Sequence, residues 1–277
     1  MTLRLTILCE NSVGRPLGLI GEHGFACFLQ TPSGDFLFDT GSGLGIDTNA
    51  DLLNLELADL RGIILSHGHY DHVGGLAKVL ARTGPINVYA HPDLFSPRVS
   101  LAGEPPRQIG VPDSREQLEQ LGARFLFSRA AVELTPELTI SGEIPRTTDF
   151  EQGDPNLCCA DPNGIMRPDP LADDLSLFIK TARGLTVLLG CAHAGLINIL
   201  DYARQLTGEK SLHTVVGGTH LLFYDDMQFR LTLERLEGFN IERLGAAHCT
   251  GLQQAARLAA HFGDKFFFAA VGTALEI

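Results

Sequence analysis

Four side chains able to hold a metal ion lie within six residues, His67, His69, Asp71 and His72, in the run Ser66-His67-Gly68-His69-Tyr70-Asp71-His72. The run follows an apolar stretch at 63–65 and precedes Gly74-Gly75 and a helical pattern. In extended backbone, alternate residues point to the same side, so His67 and His69 face one cavity, and a following turn brings Asp71 and His72 round to it. Imidazole nitrogens with a carboxylate suit zinc, iron or manganese, whereas a magnesium or calcium site would be mostly oxygen. The competing reading is a polar loop with histidines by coincidence, which requires four ligands at this spacing to gather by chance at the mouth of a strand.

The elements that must position this run are short. Strands are predicted over 3–8, 25–29, 36–38 and 63–65, separated by Gly, Pro and Ser. A helix over 74–82, closed by Gly84 and Pro85, leads to a strand over 86–90. From about 92 to 170 the sequence is irregular and proline-rich, helical only at 115–121, and reads as a loop and cap where specificity resides. Regularity returns with strands over 175–180, 185–189, 214–216, 241–247 and 265–271. Helices over 196–206, 226–236 and 252–262 alternate with them. Strands and helices in both halves predict an α/β layered sandwich, two central sheets with helices outside, in a single domain over 1–277.

The composition narrows the function classes. The chain has 277 residues, 44% hydrophobic, enough for one large core. A formal charge of −12 with no Lys/Arg block repels a phosphate backbone, which excludes nucleic acid and leaves a small-molecule substrate. The charge-poor stretch 184–200 carries His193 and Asn198 and fails as a membrane span. The N-terminus reads as a first strand and not as a signal peptide, so a cytoplasmic location is expected. Six cysteines without a C-x-x-C pair predict reduced thiols. A homo-oligomer is compatible with all of this.

H-x-H-x-D-H after an apolar strand resembles the signature of the metallo-β-lactamase superfamily. Further motifs agree: Glu22-His23-Gly24, Phe38-Asp39-Thr40-Gly41, Gly142-Glu143-Ile144-Pro145-Arg146, Gly190-Cys191-Ala192-His193-Ala194-Gly195, Gly217-Gly218-Thr219-His220-Leu221 and His248-Cys249-Thr250-Gly251. Together they resemble one subfamily, similar to the dihydropterin-ribofuranosylaminobenzene-phosphate synthases, from the first strand to the last quarter of the chain. The resemblance implies a four-layer αβ/βα sandwich of two mixed sheets. It also implies one or two metal ions, zinc first, with iron or manganese as alternatives. His193 and His248, at strand ends in the second half, complete the ligand set with His67, His69, Asp71 and His72, and Asp71 is in addition the catalytic residue. Asp39 is implied to lie behind the cluster and to fix a ligand histidine's tautomer. Asp39-Thr40-Gly41-Ser42 is also the opening of an aspartic-protease site, but that needs a second such aspartate, and the chain has none. Glu22 and His23 are implied to line the pocket, and His220 to face the substrate or lie at its periphery.

The chain departs from the common superfamily pattern at two places. Many members carry a ligand histidine near 171–174 and a bridging aspartate at the position of Cys191. Here Asp173 or Asp174 stands at the first and Cys191 or His193 serves the second, with Cys191 as plain core filler the default alternative. Arg146 and Arg167 can form a fork for a phosphate, and the Gly74-Gly75 helix start can offer N–H groups to an anion. The expected activity is a metal-dependent reaction on a phosphorylated or diphosphorylated small molecule. It is a hydrolase if water attacks. It is a transferase, as the resemblance implies, if an aminobenzene ribosyl phosphate displaces the diphosphate of a dihydropterin methyl diphosphate. A non-catalytic sensor reusing the fold is the third possibility, against which the retained Asp71 speaks.

Overall fold

The strand Ala26–Thr31 shows how the layers arise. Successive side chains leave opposite faces of a strand. Ala26 and Phe28 accordingly join one apolar cluster with Ile46, Leu76, Val79 and Leu80 from helices, while Cys27 and Leu29 join another with Leu138, Leu177 and Leu188 from a second sheet. The second sheet repeats the device, with Val215 packing outward against Leu200 and Phe229 and Val216 packing inward. Two seven-stranded sheets thus share an inner core, and helices cover each outer face. The computed structural model describes residues 3–160 and 164–277.

In the first sheet the order is Ala274–Glu276, Arg4–Cys9, Ala26–Thr31, Gly34–Phe38, Gly62–Ile64, Ile86–Ala90 and Ala123–Phe127. In the second it is Phe266–Phe268, Arg243–Ala247, Leu212–Gly218, Gly184–Leu189, Ser176–Thr181, Leu138–Ile140 and Val132–Glu133. Each sheet is antiparallel at one side and parallel at the other: Gly34–Phe38, Gly62–Ile64 and Ile86–Ala90 run parallel in the first, and Gly184–Leu189, Leu212–Gly218 and Arg243–Ala247 in the second. Parallel strands bring their C-terminal ends to one edge, where open α/β sheets bind ligands. Asp39, the 66–72 run, Cys191, His193, His220 and His248 all follow such ends.

The middle segment differs from its predicted irregularity. Arg98–Ser100, Arg107–Gln108, Leu157–Ala160 and Met166–Pro168 form a separate four-stranded antiparallel sheet, while Ala123–Phe127 and the pair Leu138–Ile140 and Val132–Glu133 complete the edges of the two large sheets. These strands have two to five residues and are mostly half-exposed, too short to display a period of two. A helix at Ile46–Leu52 was also hidden, because it starts from Gly45 without a side-chain cap. The helix predicted over 74–82 runs over Leu76–Thr83 and is preceded by a short helix that was not predicted, Tyr70–Val73, and the strand predicted over 265–271 is only Phe266–Phe268. No helix among the described residues is long and apolar enough to cross a membrane.

Candidate metal centre

The first half of the centre is a single loop tied down from behind. Asp39 accepts from the Ser66 backbone N–H and the Ser66 hydroxyl, each at 2.7 Å, and its Oδ2 lies 2.7 Å from His72 Nδ1. Ser66 Oγ lies 2.8 Å from His67 Nδ1. One carboxylate thereby holds the Nδ1 side of two imidazoles, which turns both Nε2 atoms into the cavity. His67 Nε2 is 3.0 Å from His69 Nδ1, and His72 Nε2 is 3.3 Å from His248 Nε2. Between His67 and His69, the Gly68 N–H donates to Asp173 Oδ2 at 2.8 Å. Asp173 in turn is bound at 2.7 Å by the buried guanidinium of Arg98, which also binds Asp169 at 2.7 Å. A Cβ at Gly68 would lie 1.9 Å from Leu94 O and 2.5 Å from Arg98 Nη1, so only glycine fits this clamp.

The second half arrives on three loops. His193 packs against His67 and His69, with ring centroids 4.8 and 5.1 Å apart, and its Nε2 is buried without a partner. His248 donates its backbone N–H to Glu10 at 2.7 Å, and its Nδ1 lies 2.9 Å from Asn11 Oδ1, which leaves Nε2 facing His72 and, at 3.3 Å, Asp71 Oδ2. His23, with a side chain 60% exposed, reaches Asp71 Oδ2 at 3.1 Å from the rim. His220 packs at a tilt against His193, ring centroids 4.2 Å apart, has both ring nitrogens without a hydrogen-bond partner, and borders a cavity of about 310 Å³ with Gln152, Asn156, Phe223 and Tyr224. Cys191 Sγ lies 3.1 Å from His72 Nε2. Asp39, Ala192, His220 and His248 hold positive φ, and such backbone strain concentrates at functional sites.

The electrostatics match a cation centre. Burial pushes His67, His69 and His193 below the ordinary imidazole range, aided by neighbouring imidazoles, and His69 falls to about 3. These rings therefore present lone pairs at neutral pH. Burial acts the same way on His72, but the charge of Asp39 and its hydrogen bond outweigh it and raise the value. For Asp71, burial disfavours the carboxylate, yet hydrogen bonds from His23 and His248 and the charge of His72 hold it well below the usual range. The buried imidazoles of His67, His69 and His193, with nitrogens within 4.8 Å of one another and Nε2 unpartnered on both His69 and His193, fit a divalent metal, and on the other side His248 Nε2 lies 3.3 Å from both His72 Nε2 and Asp71 Oδ2.

Several expected residues lie elsewhere. Asp174, read as a substitute ligand, is in none of the donor groups found among the described residues: its Oδ2 accepts from the Ala194 N–H at 2.8 Å behind the His193 loop, and its Oδ1 is buried without a hydrogen-bond partner. Asp173 is engaged by Arg98 and the Gly68 N–H and is likewise outside those groups. Glu22 does not line the pocket, because it is buried and its Oε2 accepts from the Leu44 and Gly45 N–H groups. The Gly74 and Gly75 N–H groups donate to Tyr70 O and Gly41 O and so are not offered to an anion. Arg146 donates to Pro170 O and shares a cavity with Glu143 and Asp174, a carboxylate-rich setting that disfavours a phosphate, and Arg167 sits on the exposed strand Met166–Pro168. Sequence reasoning overlooked Glu10, Asn11, Ser66 and Arg98. Glu10 and Asn11 had a signal, two polar residues closing an apolar strand as Asp39 does.

Comparison with known proteins agrees with this architecture. The chain is 28% identical to the 7,8-dihydropterin-6-methyl-4-(beta-D-ribofuranosyl)-aminobenzene-5'-phosphate synthase of Methanocaldococcus jannaschii, covering 95% of this chain and 93% of the relative. A crystal structure described as a metal-dependent hydrolase of the beta-lactamase superfamily is similar at a TM-score of 0.84 and 27% identity, over 99% of both chains. Zn(2+)-bound PqqB from Methylobacterium extorquens shares the fold at a TM-score of 0.56 and 13% identity, over 99% of this chain and 100% of that one. The profile of the Metallo-beta-lactamase superfamily matches residues 20–214. With that match spanning most of the chain, and the histidine-rich loop set between two sheets as described, this protein belongs to the metallo-beta-lactamase superfamily.

Proposed function

We propose that this protein is a metal-dependent enzyme acting on a phosphate- or diphosphate-bearing small molecule, by a group transfer like that of the synthase it resembles. The observation that carries the reading is the convergence of six donor side chains, from both halves of the chain, on one buried centre, where burial lowers the values of His67, His69 and His193. One or two divalent cations held there, zinc foremost, supply Lewis acidity toward an anionic oxygen when bound. The chain's own groups do the rest. Asp71 Oδ2, kept ionised by His23 and His248, accepts a hydrogen bond from the attacking group and orients it. His220, packed against His193, lines the 310 Å³ cavity, where Phe223 and Tyr224 offer apolar surface to the organic part of the substrate. A net charge of −12 leaves a small molecule, not nucleic acid, as the partner.

Hydrolysis is the second reading, favoured by the position of His23, whose exposed ring reaches Asp71 from the solvent side. The two readings separate in one assay. Zinc-loaded protein is given a dihydropterin methyl diphosphate with and without an aminobenzene ribosyl phosphate, and diphosphate is measured. Release only with the acceptor supports transfer, and release without it supports hydrolysis. No release in either case from metal-loaded protein would sink this substrate assignment. Asp71→Asn is expected to abolish turnover while metal stays at His67, His69 and His193; retained turnover would remove Asp71 from the chemistry.

A further inference from the structure

The geometry points to Cys191 as a sulfur ligand shared between the two halves of the metal centre. The inference rests on the metal-holding reading above and adds a donor to it. Cys191 Sγ lies within 4.8 Å of donor atoms of His67 and His72, of His193 and His220, and of His248 and Cys249. No other side chain takes part in three of the five donor groups found among the described residues. It is therefore the atom that faces both the His67/His69/His193 side and the Asp71/His72/His248 side.

The alternative is a buried thiol that fills space, as free cysteines commonly do. Cys9 and Cys27 are of that kind, since both pack within apolar clusters. Cys191 is also buried but belongs to none of the three apolar clusters, and its sulfur meets polar partners, His72 Nε2 at 3.1 Å and the Cys249 thiol. A second observation is independent of the cysteine. His193 Nε2 and both nitrogens of His220, in the same donor group as Cys191, are buried without any partner and so await one. As the sulfur–metal bond forms, the thiol proton leaves to solvent, and the cation replaces it as the sulfur's partner. A thiolate at this position favours zinc or cobalt(II) over manganese, because soft sulfur discriminates against hard cations.

Cobalt(II) titrated into the full metal-free chain tests this, because its ligand-field bands report binding by any donor whereas a near-ultraviolet sulfur-to-cobalt charge-transfer band reports sulfur alone. The expected result is a charge-transfer band that grows through both the first and the second equivalent, is lost in Cys191→Ser and is kept in Cys249→Ser. Ligand-field bands without charge transfer in the wild type would overturn the inference and leave the metal centre standing. Persistence of the band in Cys191→Ser would overturn it as well, and saturation after one equivalent would show that the sulfur is not shared. Should Cys191→Ser not fold, X-ray absorption of the zinc-loaded wild type decides, with a sulfur shell at about 2.3 Å expected and a shell of nitrogen and oxygen alone overturning the proposal. Absence of any cobalt uptake would remove the metal centre and this ligand together.

Discussion

The 66–72 loop carries four donors in near succession and is held from behind by Asp39, Ser66 and the Arg98–Asp173 clamp, with His69 Nε2 left without a hydrogen-bond partner, whereas His193, His220 and His248 come from three separate loops and leave three ring nitrogens without one. The difference teaches how such a centre forms. A contiguous loop can be organised by its own local hydrogen bonds before a cation arrives, because few backbone torsions separate one donor from the next. Donors that meet only through sheet packing are placed by the whole fold, and the cation completes their contacts.

The strongest way to break the contrast is to remove the clamp on the first half. Arg98→Met leaves Asp169 and Asp173 buried beside an apolar side chain, which is expected to cost about 3–5 kcal/mol in denaturant unfolding, as for other broken buried pairs. A loss below about 1 kcal/mol would show that the first loop does not depend on this clamp. Asp174 tests the second half through pH. Burial raises its carboxyl from 3.8 to about 6, so the folded protein holds that proton more tightly than the unfolded chain does. The stability this contributes is full below about 3.8 and is lost as pH rises through about 6. Asp174→Asn lacks the loss, so its stability relative to wild type should improve across that window, by up to about 3 kcal/mol at 1.36 kcal/mol per unit. A difference that is flat with pH would mean that Asp174 is not held in a dry site behind His193. The smallest effect is expected from Asn11→Ala, which frees His248 Nδ1: about 1 kcal/mol of stability and about tenfold in affinity for one of two metal equivalents, measured by calorimetry. Equal weakening of both equivalents would erase the distinction between the halves.

Most strands of the two large sheets and the helices Leu196–Thr207, Asp226–Glu237 and Leu252–Phe262 were readable because they are apolar runs or recur at helical spacing between Gly, Pro and Ser punctuation. The middle segment was not, since Arg107–Gln108 and Val132–Glu133 are strands of two residues defined by their neighbours and by no pattern of their own. At the site, a polar residue's direction was the missing quantity. Glu22 and His23 are adjacent, yet one is sealed under the 44–45 turn and the other reaches Asp71 from solvent. Asp71 was read as a ligand of the motif and Asp173 or Asp174 as a substitute ligand, and of these three Asp71 is the one in a donor group found among the described residues.

By itself, the sequence determined that His67, His69, Asp71 and His72 act together and that layered strands and helices carry them, because spacing along a backbone of known periodicity places near neighbours without any knowledge of the rest. Tertiary structure decided which distant residues join them. Glu10 and Asn11 orient a histidine 237 or 238 positions away, and Cys191 stands among imidazoles while Cys9 and Cys27 stand among hydrocarbons. Those assignments depend on how two twisted sheets face each other across a shared core, a relation set by the packing of many side chains and written in no single stretch of the chain.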